Sequence, residues 1–558
     1  MLVRAVRHGW RSARHRRALA TASEALEQRD VVIVGGGVAG LALATALSAS
    51  PVLGQLRRPL SLTLVEASDL SRASSWTPRD DRTFENRVSS VTNESKALLE
   101  RIGVWPRVDL ARVRPIERME VWDGLSDARI IFDADEVVDR PEPTADELAL
   151  GLEPEPPAMA HLTENANLMR AMLEVLEQPS AIDVDLAGRT RVEAIERDEH
   201  GWPVLTLSGG RRLRARLLIG ADGFNSPVRS FAGIETTGWR YDTEAVVASL
   251  QLEPSDNTIA WQRFLPTGPI ACLPLTDSVA SLVWSTKPPL ARALKQLQPE
   301  TLALLVNAAF RLPWSSVAHL HAMLLEGAND ATLVEEVLWR SSPEALGRKA
   351  FAFEGPASET SVPPTALTAT PGTIASFPLR MSHAIDYLGQ PLADGTTSRT
   401  ALLGDAAHTL HPLAGQGLNL GLGDVASLTR TIEAAVRDGA DVGSLTALRP
   451  YPRERWSANS TMLSATDKLH KLFAVESSPV VRLRGIGIDV LNEMGWVKRA
   501  LMGQAGARGT ARSRSWLETG VATVVAAQSA IASARAIGGI VGDLALQRAR
   551  DALNARGR

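Results

Sequence analysis

The stretch DVVIVGGGVAG, residues 30–40, constrains the fold more than any other part of the chain. Val31 to Val34 form a short unbroken apolar run, which suits a strand buried on both faces of a parallel sheet. Gly35-Gly36-Gly37-Val38-Ala39-Gly40 follows at once and opens a helical pattern. Strand, glycine turn and helix in that order give the G-x-G-x-x-G spacing its meaning. Gly35 allows a tight turn, Gly37 lets backbone approach a pyrophosphate, and Gly40 lets the helix pack on the strand. The helix N-terminus adds N–H donors and partial positive charge. LSLTLVEAS, residues 60–68, reads as the next strand, and Glu66 near its end is placed to accept from ribose hydroxyls. The intervening PVLGQLRRP reads as a lengthened surface loop and carries Glu66 beyond the usual separation of about 20 residues.

Two further segments end strands with an aspartate. RARLLIGADGFNSPVR places Asp222 and Gly223 in a turn at the carboxyl end of an apolar run, where ligands bind in open α/β sheets. LLGDAAHTLHPLAGQGLNLG, residues 402–421, ends a run from Thr400 to Leu403 with Gly404-Asp405. Pro412 follows, and Gly415-Gln416-Gly417 opens another helical run that contains Leu418 and Asn419. Asp405 is suited to accept from a sugar or ribityl hydroxyl, and Gly415 to Leu418 could offer N–H groups to a flavin carbonyl. Asp405, His408 and His411 also stand three residues apart, as metal ligands on one helix face could. Pro412 disfavours helical backbone at His411. No metal is therefore assigned, and both histidines read as loop-fixing residues.

One cysteine, Cys272, excludes a disulfide framework and a cysteine-rich metal site. A net charge of −3 gives no reason to expect nucleic acid. Residues 1–23 hold six arginines and no acid, the pattern of a mitochondrial transit peptide, and are set apart from the fold. Residues 133–157 hold nine acids and five prolines and read as a solvated insertion. Residues 180–220 and 236–286 read as β, 299–347 as helical, 357–373 as a Ser/Thr/Pro-rich loop, and the chain from about 415 as helical. The weakly apolar segment 517–546 reads as a helix packed on the body or lying on a membrane surface. Strands and helices that alternate, stop and resume imply an α/β domain interrupted by a β-rich one.

Together GGGVAG, GADGFNSPVR and GDAAHTLHPLAGQGLNLG resemble, in order and spacing, the three flavin-binding motifs of the single-component aromatic hydroxylases. HPLAGQGLNLGLGD, SFPLRMSHAIDY (376–387), YPRERWSANSTMLSATDKLHKLF (451–473) and LRGIGIDVLNEMGWVKRALMGQAG (483–506) are similar to the ubiquinone-biosynthesis hydroxylases within that superfamily. The resemblance implies a Rossmann-like FAD-binding domain of aromatic-hydroxylase type (30–110, 160–235 and 375–450). It adds an inserted β-rich substrate domain (111–159 and 236–374) and a C-terminal helical region (451–558). It implies FAD, with Gly35, Gly37, Val38, Ala39, Gly40 and Glu66 on the ADP half and Arg87 beside the cofactor. Asp222 and Gly223 fall near pyrophosphate and ribose, Gly404 and Asp405 at the ribityl chain. Pro412, Gly415, Gly417, Leu418 and Asn419 border the isoalloxazine.

The implied activity is hydroxylation at C5 of a polyprenylated 4-hydroxybenzoate-type ring through a flavin C4a-hydroperoxide, using O2 and electrons from NAD(P)H or a ferredoxin system. The cofactor carries the oxygen chemistry, so no catalytic side chain is assigned. Such a substrate resides in a membrane. A peripheral seat on the matrix side of the mitochondrial inner membrane, among other ubiquinone-pathway enzymes, is expected. Trp261 and Phe264 are candidates for lining the substrate face or for packing its core. Other aromatic hydroxylases or epoxidases, and a prenyl-binding scaffold on a flavoprotein fold, are the alternatives.

Overall fold

Strand β1 (Leu26–Val34) lies at the centre of the sheet that the glycine turn predicts. The computed structural model describes residues 26–80, 82–138, 156–342, 362–391, 398–410 and 415–504. The expected leader, most of the acidic insertion, His411, Pro412 and the segment after 510 lie outside the described residues. β1 pairs in parallel with β2 (Leu62–Val65) on one side and with β3 (Arg212–Gly220) on the other. Val184–Ala187 extends the sheet beyond β2, and Thr400–Leu402 joins β3, both in parallel. The hairpin 192–207 completes it in antiparallel fashion. Helix α1 (Val38–Ser48) covers β1 and packs against α2 (Gln416–Arg437) and the helix Asn165–Leu176.

β1 begins at Leu26, five residues before the apolar run. Its first half is polar because it sits at the open end of the sheet, where Glu27 pairs with Arg211 at 2.9 Å. The loop PVLGQLRRP contains a helical turn, Pro51–Gly54, capped by Ser50 and anchored by buried Leu53.

Among the described residues the second sheet has nine strands and is mostly antiparallel. Its long members are β4 (Thr236–Leu252) and β5 (Ala375–Ala384), which pair from Thr236↔Ala384 to Val247↔Ala375 with one irregularity. Helices between 288 and 340 cover it, and the core they share holds Trp122, Trp261 and Trp284. The segment expected to be loop at 357–373 contributes a strand, Ala366–Ala369, paired with the end of β4. Asn307 holds that strand by both faces of Ala366, at 2.9 and 2.8 Å. Its Ser/Thr-rich composition conceals it because its order comes from this tertiary grip.

β5 also pairs with His408–Thr409, so the β-rich sheet reaches the end of the third glycine segment. Helix α3 (Pro450–Phe473) then runs along both parts of the molecule. Near its start Trp456 donates to the Ala384 carbonyl at 3.0 Å. Further along, Asp467 accepts from Tyr241 at 2.9 Å, and Phe473 stacks on Phe264 at 4.0 Å. α4 (Ser478–Glu493) docks on the hairpin 118–133, and α5 (Gly495–Gln504) on the helical turn Ala134–Val137 that follows it. At the hairpin Arg484 grips the buried Asp123 carboxylate at 2.8 Å. No helix among the described residues is long and apolar enough to cross a membrane.

Candidate functional site

The first and second glycine segments touch. Gly35 has φ +111°, and a methyl group there would overlap the Ala221 carbonyl and stand 2.8 Å from the Asp222 nitrogen. A side chain on Gly40 would overlap the Gly35 carbonyl and reach Ala221 Cβ at 3.3 Å. Gly37 is different. It begins α1 with no side-chain cap, and a methyl group on it would meet nothing within 4 Å. Close packing thus requires Gly35 and Gly40, while Gly37, beside Val38 and Ala39, faces open space at an uncapped helix N-terminus. Glu66 accepts from the Gly36 N–H at 2.5 Å and from Ser68 at 2.7 and 2.5 Å. Partial burial opposes its ionisation, and the bonds from Ser68 and Gly36 outweigh that and lower its pKa.

Asp222 accepts from the Val228 N–H at 3.1 Å with one oxygen. The other oxygen is buried without a hydrogen-bond partner among the described residues. Burial raises its pKa, with nearby Ser226, the Val228 N–H and Arg229 opposing. Arg229 ties the second segment to the third, donating to the Phe224 carbonyl at 2.5 Å and to the Ala406 carbonyl at 2.7 Å. Gly223 adopts φ +80°, open to space.

The third segment meets the first through small residues. A methyl group on Gly404 (φ +58°) would stand 3.3 Å from Ala39 Cβ, and one on Gly421 would stand 3.6 Å from both Ala39 Cβ and Gly404 Cα. Asp405 occupies the turn between them. Its surface is open to solvent, yet the protein around it is dense enough to raise its pKa, with His408 opposing. A carboxylate both crowded and accessible lies in a cleft, and no side-chain hydrogen bond of Asp405 occurs among the described residues. Gly415 (φ +60°) begins α2, again with no side-chain cap, and Gly417 faces open space.

Two uncapped helix N-termini, the unpartnered oxygen of Asp222 and the open carboxylate of Asp405 thus belong to segments that meet at Gly35–Ala221 and at Ala39–Gly404–Gly421. This donor set suits FAD: the helix N-termini favour anions and carbonyls, and the carboxylates favour ribose and ribityl hydroxyls.

Other expected residues have different surroundings. Asn419 spends its amide on the protein, donating to the Ser90 carbonyl at 2.7 Å and accepting from the Thr92 N–H at 3.0 Å. It fastens the first turn of α2 to the strand Val88–Thr92. Leu418 is partly buried against the core of the first sheet. Arg87, just ahead of that strand, is exposed. Its loop is held by Arg112, which bonds Glu164 at 2.7 Å, reaches the Asp80 and Thr83 carbonyls, and lies 3.4 Å over the Phe84 ring. Trp261 is buried edge-on to Trp122, and Phe264 lies beneath Phe473, so both pack the core. His408 points at Asp424, 2.6 Å away. No group of three or more potential metal ligands occurs among the described residues.

Sequence reasoning missed Arg112, Asp424, Arg455 and Asn459. The last three lie in the segments whose wording carries the ubiquinone-hydroxylase resemblance, which was the available signal.

A family model described as "FAD binding domain" matches residues 28–319 and 378–465. The mitochondrial ubiquinone biosynthesis monooxygenase COQ6 of Xenopus tropicalis is 38% identical over 485 residues, covering 85% of this chain and 92% of that protein. The Saccharomyces cerevisiae protein of the same name is 37% identical over 501 residues, covering 88% and 96%. Among solved structures, p-nitrophenol 4-monooxygenase PnpA from Pseudomonas putida superposes with a TM-score of 0.55 at 18% identity, covering 87% of this chain and all of that one. PqsL, a probable FAD-dependent monooxygenase from Pseudomonas aeruginosa, gives 0.53 at 22% identity, covering 83% and 99%. These two share the fold.

Proposed function

The chain belongs to the FAD-binding monooxygenase family, among the ubiquinone biosynthesis monooxygenases, and on that premise we propose that it hydroxylates C5 of a polyprenylated 4-hydroxybenzoate-type ring. It is an FAD-dependent monooxygenase, and it needs an aromatic substrate, O2 and a reductant. The observation that carries the site is the mutual contact of the three glycine segments at Gly35–Ala221 and at Ala39–Gly404–Gly421.

In this reading the turn from Gly35 to Gly40 and Glu66 hold the ADP half, with Asp222 and Gly223 beside the pyrophosphate and ribose. Asp405 holds the ribityl chain. The N-terminus of α2, from Gly415 to Leu418, orients the ring system, and Arg87 closes one side. Bound flavin, once reduced, supplies the activated oxygen that no side chain can provide. The protein's own tasks are orientation and exclusion of water. The substrate ring lies between the flavin and the β-rich sheet. Arg380 on β5, stacked 4.0 Å over Phe224 of the second segment, supports that placement. The same reading divides the chain into an FAD-binding body of 30–110, 160–235 and 375–450, a substrate portion of 111–159 and 236–374, and C-terminal helices.

The relatives are named mitochondrial. We place this chain peripherally on the matrix side of the inner membrane, near other enzymes of the pathway, with NAD(P)H or a ferredoxin system as reductant. The membrane seat is supported by Leu483, Ile486 and Val490, exposed at helical spacing along α4.

Expression in a yeast strain lacking its own ubiquinone biosynthesis monooxygenase tests the assignment. Restored ubiquinone, with loss of the precursor that lacks the C5 hydroxyl, is expected. Persistence of that precursor while yellow, FAD-loaded protein accumulates would count against it.

A further inference from the structure

Behind the third glycine segment lies a buried polar cluster that flavin contacts do not explain. Asp424, on α2, is 0% exposed. One carboxylate oxygen accepts from the Gly404 N–H at 3.1 Å and from His408 Nε2 at 2.6 Å. The other accepts from Arg455 Nε and Asn459 Nδ2, both at 3.0 Å. Asn459 Nδ2 also donates to the Tyr387 hydroxyl at 3.0 Å, and that hydroxyl lies 2.8 Å from His383 Nε2. The direction of the Tyr387–His383 hydrogen bond follows the tautomer of the His383 ring. Burial, with His408 adding to it and Asp424 opposing, lowers the His383 pKa to about 4, so the ring is neutral near pH 7. Burial alone would raise the Asp424 carboxyl, but His408 and Arg455 overcome it and hold it at about 2.

The cluster grips the segment that carries Asp405 from both sides. Gly404 precedes Asp405 and His408 follows it by three residues. Asp424 stands on the same helix whose N-terminus is Gly415–Gly417, roughly 12 Å away along the axis at about 1.5 Å per residue. A helix is stiff over that length, so one carboxylate sets the Asp405 turn and the helix N-terminus in a common frame. The two aspartates are complementary: Asp424 is fully bonded within the protein, and Asp405 is free to accept from a ligand.

We propose that Asp424 is a positioning residue for the flavin, fixing Asp405 against the N-terminus of α2. The proposal rests on the reading in which Asp405 contacts the cofactor. A mere packing role for Asp424 would cost stability and leave the cofactor's affinity and spectrum unchanged.

The test uses the full chain, with FAD affinity read by quenching of FAD fluorescence and the bound spectrum by visible absorbance. Asp424→Asn keeps the shape and removes the charge. Its FAD dissociation constant should rise about tenfold or more, and the bound flavin bands should shift. Asp123→Asn removes an equally buried, Arg-paired carboxylate in the β-rich sheet, and should lose stability while FAD affinity holds within about twofold. His408→Gln removes one side of the grip and serves if Asp424→Asn does not fold; a rise of about threefold or more in its dissociation constant is expected. An unchanged dissociation constant and spectrum in folded Asp424→Asn, or in His408→Gln where it stands in, overturns the role of Asp424 and leaves the Asp405 contact intact. A raised constant in Asp424→Asn with an unchanged one in Asp405→Ala overturns placement through Asp405 itself.

Discussion

A methyl group on Gly40 would overlap the carbonyl oxygen of Gly35, so the first turn of α1 is pressed against the turn that precedes it. Gly40→Ala should therefore push the helix off the strand. Overpacking of this kind costs about 1–3 kcal/mol. Thermal unfolding and the flavin-to-protein ratio after gel filtration should both fall. Gly37→Ala separates the two roles, because its methyl group meets only open space. Its stability should stay within about 0.5 kcal/mol, typical of a site without contacts, while FAD binding weakens. Equal stability losses in the two variants would contradict the assignment of Gly37 to the ligand side.

Asp405→Ala should raise the FAD dissociation constant about ten- to a hundredfold, the range for lost hydrogen bonds to a charged acceptor. The apoprotein should not be destabilised, since the carboxylate makes no side-chain hydrogen bond among the described residues. Titration of apoprotein with FAD alongside a urea melt gives both values. An unchanged constant would remove Asp405 from the site.

Arg112 and Glu164 form an almost fully buried pair, so removing one partner strands a charge. Arg112→Ala should cost about 3–5 kcal/mol in denaturant unfolding. Replacing the pair together, Arg112→Met with Glu164→Leu, should recover much of that. The single variant should also loosen the loop that leads to Arg87, read as increased proteolysis near residues 80–87.

Three histidines make folding sensitive to mild acid. Burial lowers the pKa of His161, His321 and His383 to about 4 each, with Lys96 adding at His161 and His408 adding at His383. The unfolded chain, with histidine near 6.5, binds more protons between these values. Stability is thus complete above about pH 6.5 and falls as pH drops toward 4, by at most on the order of 3 kcal/mol per residue. Urea midpoints at pH 8, 6 and 5 should show the decline. His321 lies between Trp284 and Trp314 with neither ring nitrogen bonded among the described residues. His321→Phe should flatten part of the slope without loss at pH 8. An unaltered slope would mean that His321 stays solvated.

The residues legible in the sequence were those whose role is set locally. Gly40 is required by the Gly35 carbonyl within the same turn, Gly35 by its left-handed backbone, and Asp222 and Asp405 are marked by their places at strand ends. Spacing alone exposes such needs. Asn419 was legible as a member of the segment but not as a clamp, because its partners Ser90 and Thr92 lie more than 300 residues earlier. Asp424, Asn459 and Tyr387 were invisible for a different reason: their partners are nearer in sequence but lie on separate elements, and each looks like an ordinary polar residue until the fold brings those elements together. The strand Ala366–Ala369 and the outer half of β1 escaped a hydrophobic reading because pairing and side-chain grips, not apolar runs, order them.

α3 has a consequence for how the enzyme comes into being. Arg455 and Asn459 are translated after every glycine of the three segments, yet they complete the bonding of Asp424. A nascent chain that has released only residues up to about 450 holds all three glycine turns and, at position 424, a carboxylate still lacking both of these partners. On the proposed role of Asp424, a chain stopped short of α3 would carry every glycine turn and still bind FAD weakly, so α3 would set when in synthesis the site becomes competent.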